Sequence, residues 1–199
     1  MYGQTKGTEL ESFVTMAYNA ESMGGMMYFA LSRIAEQLGL AEVAAELVEL
    51  GNQEMRHAGF YAILNGRYPA DPAGFWNLVR GVSKAEFRGE ERVNEFAQKL
   101  EEAGFAEAAE TVRGFALEER HHGEVTRSLL TRWAPPERED GSSETRRVYV
   151  CPCCGYEHLG EIGSESNDDL CPVCSMPISR FVPKETQRNA DFNPRAKRR

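Results

Sequence analysis

The sequence predicts a mainly α protein: a four-helix bundle followed by a small β module built around a metal. Two observations carry this. Apolar residues recur at helical spacing through four long stretches, and the second pair of stretches repeats the first. Toward the C-terminus, Cys151-x-x-Cys154 and Cys171-x-x-Cys174 stand sixteen residues apart. Four thiolates from two such knuckles are a tetrahedral metal signature.

The 199 residues, 41% hydrophobic and 27% charged, suit one sizeable domain plus a small module, with helices wet on one side. The net charge of −8 argues against nucleic acid as a partner. Basic residues gather at the end, with six Lys or Arg against two acids from Lys184 to Arg199. No apolar run is long enough to cross a bilayer, so no membrane is expected. Glu9 and Glu11 stand where an export signal would be basic and then apolar. With four of five cysteines in C-x-x-C pairs, metal binding is expected in place of disulfides, and a cytoplasmic setting with it.

The first helix is expected from about Thr8 to Leu38, on the stripe Leu10, Phe13, Val14, Ala17, Tyr18, Tyr28, Phe29, Leu31 and Ile34. Gly39 suits a left-handed C-terminal turn. The second helix runs from about Ala41 to Asn65, and Asn65-Gly66 with Tyr68-Pro-Ala-Asp-Pro72 breaks the pattern. A third stretch passes through Phe75, Leu78, Val82, Val93, Phe96 and Leu100 to Gly104, and the fourth covers about Phe105 to Trp133. The bundle is therefore assigned to 1–134, a Pro- and Gly-bearing linker to 135–146, the cysteine module to 147–182 and a basic tail to 183–199.

The repeat locates the chemistry. Gln53-Glu54-Met-Arg-His57 and Leu117-Glu118-Glu-Arg-His121 each set a carboxylate and an imidazole one helical turn apart. From Gly39, Glu21 lies 18 residues before, Glu54 15 after and His57 18 after. From Gly104, Glu86 lies 18 before, Glu118 14 after and His121 17 after. A Glu-x-x-His on each of two helices plus one Glu from each of two others is the ligand set of a carboxylate-bridged di-iron centre. Glu54 and Glu118 are the expected bridges, Glu21 and Glu86 the terminal carboxylates, and His57 and His121 the imidazole donors, holding two non-haem irons that meet dioxygen or peroxide. Ser83-Lys-Ala-Glu86 also fits a helix-start capping box, and in that case Glu90 replaces Glu86 as ligand. His122 points about 100° away from His121, which favours an outer or surface role. Cys151, Cys154, Cys171 and Cys174 would hold one iron, or zinc, leaving Cys153 a free thiol.

The link between the hairpins is constrained by reach. In a bundle with parallel second and third helices, the second overshoots the metal level by about 16 Å. A third helix starting at Pro72 adds about 21 Å, against about 23 Å of extended link. A start near Trp76 or later, after an extended crossover from Gly66 to about Phe75, satisfies this; exchange of a hairpin between two subunits is the alternative.

On these residues the chain resembles the rubrerythrins. The likeness covers about Thr8 to Phe181 and rests on Ala20-Glu21-Ser22 with Tyr28, Glu54-Met-Arg-His57-Ala58, Glu118-Glu-Arg-His121, and Tyr149-Val-Cys151-Pro-Cys-Cys154-Gly155-Tyr156 with Cys171-Pro-Val-Cys174. It implies a ferritin-like di-iron bundle with a rubredoxin-like domain, acting as a non-haem peroxide reductase. Hydrogen peroxide would oxidise the bundle site, and a redox donor protein would re-reduce it through the four-cysteine iron, in a homodimer or larger homo-oligomer. The pattern differs where the family has two carboxylates three residues apart on the third helix; ungapped alignment from Gly104 puts Ala85 and Arg88 there. The spacer between cysteine pairs also carries a Ser164–Asp169 insertion. Two other readings are a ferroxidase using dioxygen, which has less use for an electron-transfer module, and a zinc-bearing protein without catalysis.

Overall fold

The structure, a computed structural model, describes residues 1–135, 148–159 and 170–184. Most of the expected linker, the Ser164–Asp169 insertion and nearly all of the basic tail lie outside the described residues. Four helices, α1 (Glu11–Gln37), α2 (Ala41–Leu64), α3 (Pro72–Glu102) and α4 (Ala106–Trp133), precede strands β1 (Val148–Val150), β2 (Glu157–Leu159) and β3 (Val182–Pro183). This is the expected fold class. No helix among the described residues is long and apolar enough to cross a membrane.

The chain divides into two compact units, Met1–Phe75 and Trp76–Arg199. In the first, α1 and α2 form a hairpin closed at Gly39, whose φ of +76° is the left-handed conformation expected there. The N–H of Leu40 reaches back to the carbonyl of Ala35 at 2.9 Å. The helices meet on small residues: Gly25, Ser32 and Ala35 on α1, Ala44, Gly51, Ala58 and Ala62 on α2. An N-terminal strap ties down the far end. Gly3 and Thr5 donate backbone N–H groups to the carbonyls of Ile63 and Leu64, and Asn65 Nδ2 reaches the carbonyl of Glu11 and Thr15 Oγ1. The free carbonyls at the end of α2 are thereby satisfied.

The second unit repeats the hairpin. Gly104, at φ +88°, closes it, and Phe105 N–H bonds the carbonyl of Leu100 at 2.8 Å. Its buried small residues include Ala97 on α3 and Ala109, Ala116 and Gly123 on α4. Counted from the turn glycines, Ser32 and Ala97 correspond, as do Ala44 and Ala109, Gly51 and Ala116, Ala58 and Gly123. The two hairpins are thus in register without a gap. Arg120 pairs with Glu90 at 2.8 Å across α3 and α4, and Arg127 lies over the Phe87 ring at 4.3 Å.

One expectation is corrected. Helix α3 starts at Pro72, not near Trp76. Asp71 accepts the N–H of Gly74 on Oδ1 at 2.9 Å, and proline occupies the first helical position, where its missing N–H costs nothing. Ser83 consequently sits within the helix, buried, with its hydroxyl 3.5 Å from the carbonyl of Gly123, and caps no helix start.

The module's three antiparallel strands are ordered β2-β1-β3, with Tyr149 opposite His158 and Val150 opposite Val182. Its core is Cys151, Cys154, Cys171 and Phe181, against which Ala85 of α3 packs. Lys84 binds Glu157 at 2.7 Å and Lys184 binds the same carboxylate at 3.0 Å. Burial opposes ionisation of Glu157, but these two ammonium groups override it and hold the carboxyl below its usual range.

Candidate metal centres

Two carboxylate–imidazole triads form, one in each unit. In the first, Glu21 of α1 meets Glu54 and His57 of α2. His57 Nδ1 lies 3.6 Å from an oxygen of each glutamate. The carboxylates are half-buried, whereas the imidazole is 58% exposed, so the triad opens to solvent on its histidine side. In the second, Glu86 of α3 meets Glu119 and His122 of α4, with His122 Nδ1 3.4 Å from Glu86. In both triads one donor atom from each residue lies within 4.8 Å of the others, close enough to share an ion.

The second triad corrects the sequence expectation by one residue. Glu118 and His121 are exposed and lie outside the cluster, and Glu119 and His122 take their places. The reason is the helix register. On α2 the run Gly51-x-x-Glu54-x-x-His57-Ala58 places both donors beside two buried small residues; on α4 the matching run is Ala116-x-x-Glu119-x-x-His122-Gly123. A shift of one residue turns a side chain by about 100° and carries it off the packed face. Glu119 and His122 lie 15 and 18 residues after Gly104, the same offsets as Glu54 and His57 from Gly39. That ungapped count was the signal available. Of the two α3 candidates, the structure brings Glu86 into the triad and gives Glu90 to Arg120.

The paired carboxylates of each triad act on one another. The neighbouring Glu21 carboxyl, burial and the Glu21 charge push Glu54 above its ordinary range, against a smaller pull from His57. Burial and then the Glu86 carboxyl do the same to Glu119. Two carboxylates this close disfavour a second negative charge between them, and a cation favours it. A divalent ion satisfies that need, and two carboxylates with one imidazole suit iron, manganese or zinc.

The four-cysteine site is better enclosed. Cys151, Cys154 and Cys171 are buried and Cys174 nearly so. Cys151 Sγ is 3.6 Å from Cys174 Sγ, as is Cys154 Sγ from Cys171 Sγ. A tetrahedron with metal–sulfur bonds of ~2.3 Å has edges of ~3.8 Å, so the sulfurs stand nearly at coordinating distance. Backbone N–H groups of Tyr156, Val173, Cys174 and Met176 point at the sulfurs. The hydrogen bond from Cys154, helped by the amides of Cys174 and Val173, pulls the Cys171 thiol down to about 5, while burial pushes Cys174 up to about 12.

Cys153, the fifth cysteine, faces Arg92 of α3, which donates to its carbonyl and stands 3.4 Å from its sulfur. Arg88 lies against Gly155, whose φ of +79° and lack of a side chain admit the guanidinium. Ala85 and Arg88, the two departures from the carboxylate pattern, therefore face the cysteine module and not the triad. Cys154→Ser should weaken zinc or iron binding at the module on the order of a hundred- to a thousandfold, about one ligand's share of a four-ligand site. Cys153→Ser should keep one metal per module, as measured by elemental analysis after gel filtration.

The chain is 30% identical over 194 residues to a rubrerythrin of Porphyromonas gingivalis, covering 91% of this chain and 92% of the relative. It is 28% identical over 193 residues to a putative rubrerythrin of Methanocaldococcus jannaschii, covering 86% and 90%. A solved structure of partially reduced nigerythrin aligns over 92% of this chain and 90% of its own, at 21% identity and a TM-score of 0.29, too low for any structural argument. No protein-family model matches the chain. Full-length identity at this level, together with the triads and the four-cysteine knuckles, settles the kinship: the chain belongs to the rubrerythrin family.

Proposed function

We propose that the protein is a non-haem peroxide reductase, in which hydrogen peroxide is reduced at two irons held by the triads and electrons enter through an iron on the four cysteines. The observation that supports it most is the coexistence of two matched carboxylate–imidazole triads and a four-sulfur site in one chain. Glu21, Glu54 and His57 would hold one iron and Glu86, Glu119 and His122 the other. Four carboxylates balance four ferrous charges, so a loaded centre is close to neutral. Iron in such a shell supplies reversible ferrous–ferric chemistry toward peroxide. The exposed sides of His57 and His122 leave a small oxidant a way in. The reading also carries a cytoplasmic setting, where the thiols stay reduced, an outside redox donor protein, and the functional division into bundle, linker, module and tail given above.

A homo-oligomer in which copies complete one another's centres fits the apolar side chains that the hairpins expose, among them Phe13 at 63% and Met23 at 65% exposure.

Anaerobic titration of the fully reduced, iron-loaded protein tests the activity. Peroxide should restore the visible absorption of oxidised four-cysteine iron at about one equivalent per two electrons, and Glu86→Ala should slow this on the order of a hundredfold. Wild-type protein that stays bleached under peroxide, with both sites loaded, would end the peroxide reading.

A further inference from the structure

Each triad has a glycine fifteen residues before its turn glycine, one helical turn beyond its first glutamate: Gly24 after Glu21, Gly89 after Glu86. A methyl group added at Gly24 would meet the Glu54 side chain, with Cδ and Cγ both at 3.6 Å. One added at Gly89 would meet Glu119, with Oε2 at 2.6 Å and Cδ at 3.2 Å. Three other helix glycines receive apolar groups, Gly25 the Met55 thioether, Gly51 the Phe29 ring and Gly123 the Phe87 ring, whereas Gly59 and Gly114 face open space. Glycine within a helix is unfavourable, so its presence at these two places needs a reason.

We propose that Gly89 is a positioning residue for the metal centre: it opens a recess in α3 that receives the Glu119 carboxylate and so fixes where its oxygens lie. This rests on the triads being metal sites, and deepens that reading. Gly24, at the matching place on α1, is the control. Glu119 lies flush against the α3 backbone, and any side chain at position 89 displaces its carboxylate. Glu54 stands off α1 at ordinary contact distance, so position 24 tolerates a methyl group. Because the atoms met are the end of a flexible side chain, the helices stay intact while the ligand moves. The second triad therefore has the tighter geometrical requirement, and a larger residue at 89 acts on metal binding without acting on the fold.

The test is cobalt(II) titration of the full chain with the four-cysteine site pre-filled with zinc, read by visible absorption and stoichiometry, with thermal unfolding of the metal-free protein alongside. Gly89→Ala should weaken cobalt binding on the order of 10- to 100-fold, while Gly24→Ala changes it by less than about threefold. Both variants should unfold at or above the wild-type temperature, since alanine favours helix. Shortening the displaced ligand should help: Glu119→Asp in the Gly89→Ala background should regain part of the lost affinity. Wild-type affinity in Gly89→Ala, equal losses in both variants, or a loss of Gly89→Ala binding that accompanies a collapse in thermal stability would each overturn the proposal while leaving the metal reading in place. Wild-type protein that takes up no cobalt beyond the zinc site would overturn both.

Discussion

Refolding two defective variants together should restore metal binding that neither shows alone. Glu54→Ala/His57→Ala removes the donors of α2, and Glu119→Ala/His122→Ala removes those of α4. Alone, each leaves every centre with only one intact triad, and tight binding of a metal pair should be lost. If triads from two copies meet, a mixed dimer pairs the intact first triad of one chain with the intact second triad of the other. Statistical mixing of equal amounts then yields about a quarter of the wild-type centres. If both triads of a centre come from the same chain, the mixture should bind no more than its components. Cobalt stoichiometry after co-refolding separates the outcomes, and gel filtration with light scattering confirms the dimer in each case. A result at the level of the separate variants would remove the shared-centre reading and leave the triads themselves untouched.

The helices were legible because they rest on local rules. Apolar spacing marked α1, α2 and α4 to within a few residues, and Gly39 and Gly104 marked both turns, since only glycine takes the positive φ there at no steric cost. The start of α3 was not seen, because Asp71-Pro72 serves equally well as loop material and as a cap followed by a first helical residue. Glu21, Glu54 and His57 were singled out by the repeat, and the structure brings those three together. In the second triad, the run Glu118-Glu119-Arg120-His121-His122 contains two overlapping Glu-x-x-His pairs, and the motif alone does not choose between them. Packing does, by burying Ala116 and Gly123 on the face that Glu119 and His122 share. The seat of the cysteine module on α3 was out of reach, because it depends on contacts such as Lys84 with Glu157 and Arg92 with Cys153, some sixty to seventy residues apart in the chain. Ala85 and Arg88 looked like losses from a ligand pattern for the same reason; in the fold they are contacts for the module.

The choice between the overlapping pairs has the sharpest consequence for single substitutions. Glu119→Ala and His122→Ala should each weaken metal binding at the second triad on the order of a hundredfold or more, the effect of losing a donor outright and not merely a residue that orients one. Glu118→Ala and His121→Ala, which remove exposed side chains outside the triad, should change binding by less than about threefold and stability by less than about 0.5 kcal/mol. His122→Gly offers a control, because added imidazole can refill the vacated position only if the ring there was a donor. The expected pattern is loss in His122→Gly, recovery with millimolar imidazole, and indifference to imidazole in His121→Gly. The reverse pattern, with His121 required and His122 dispensable, would mean that α4 turns by about 100° on loading its metal. Such a turn would have to draw Ala116 and Gly123 out of the α3 interface, so it should also register as a smaller metal-induced rise in thermal stability than binding in the packed register gives. Metal binding that depends on His122 and not on His121 is the outcome the packing requires.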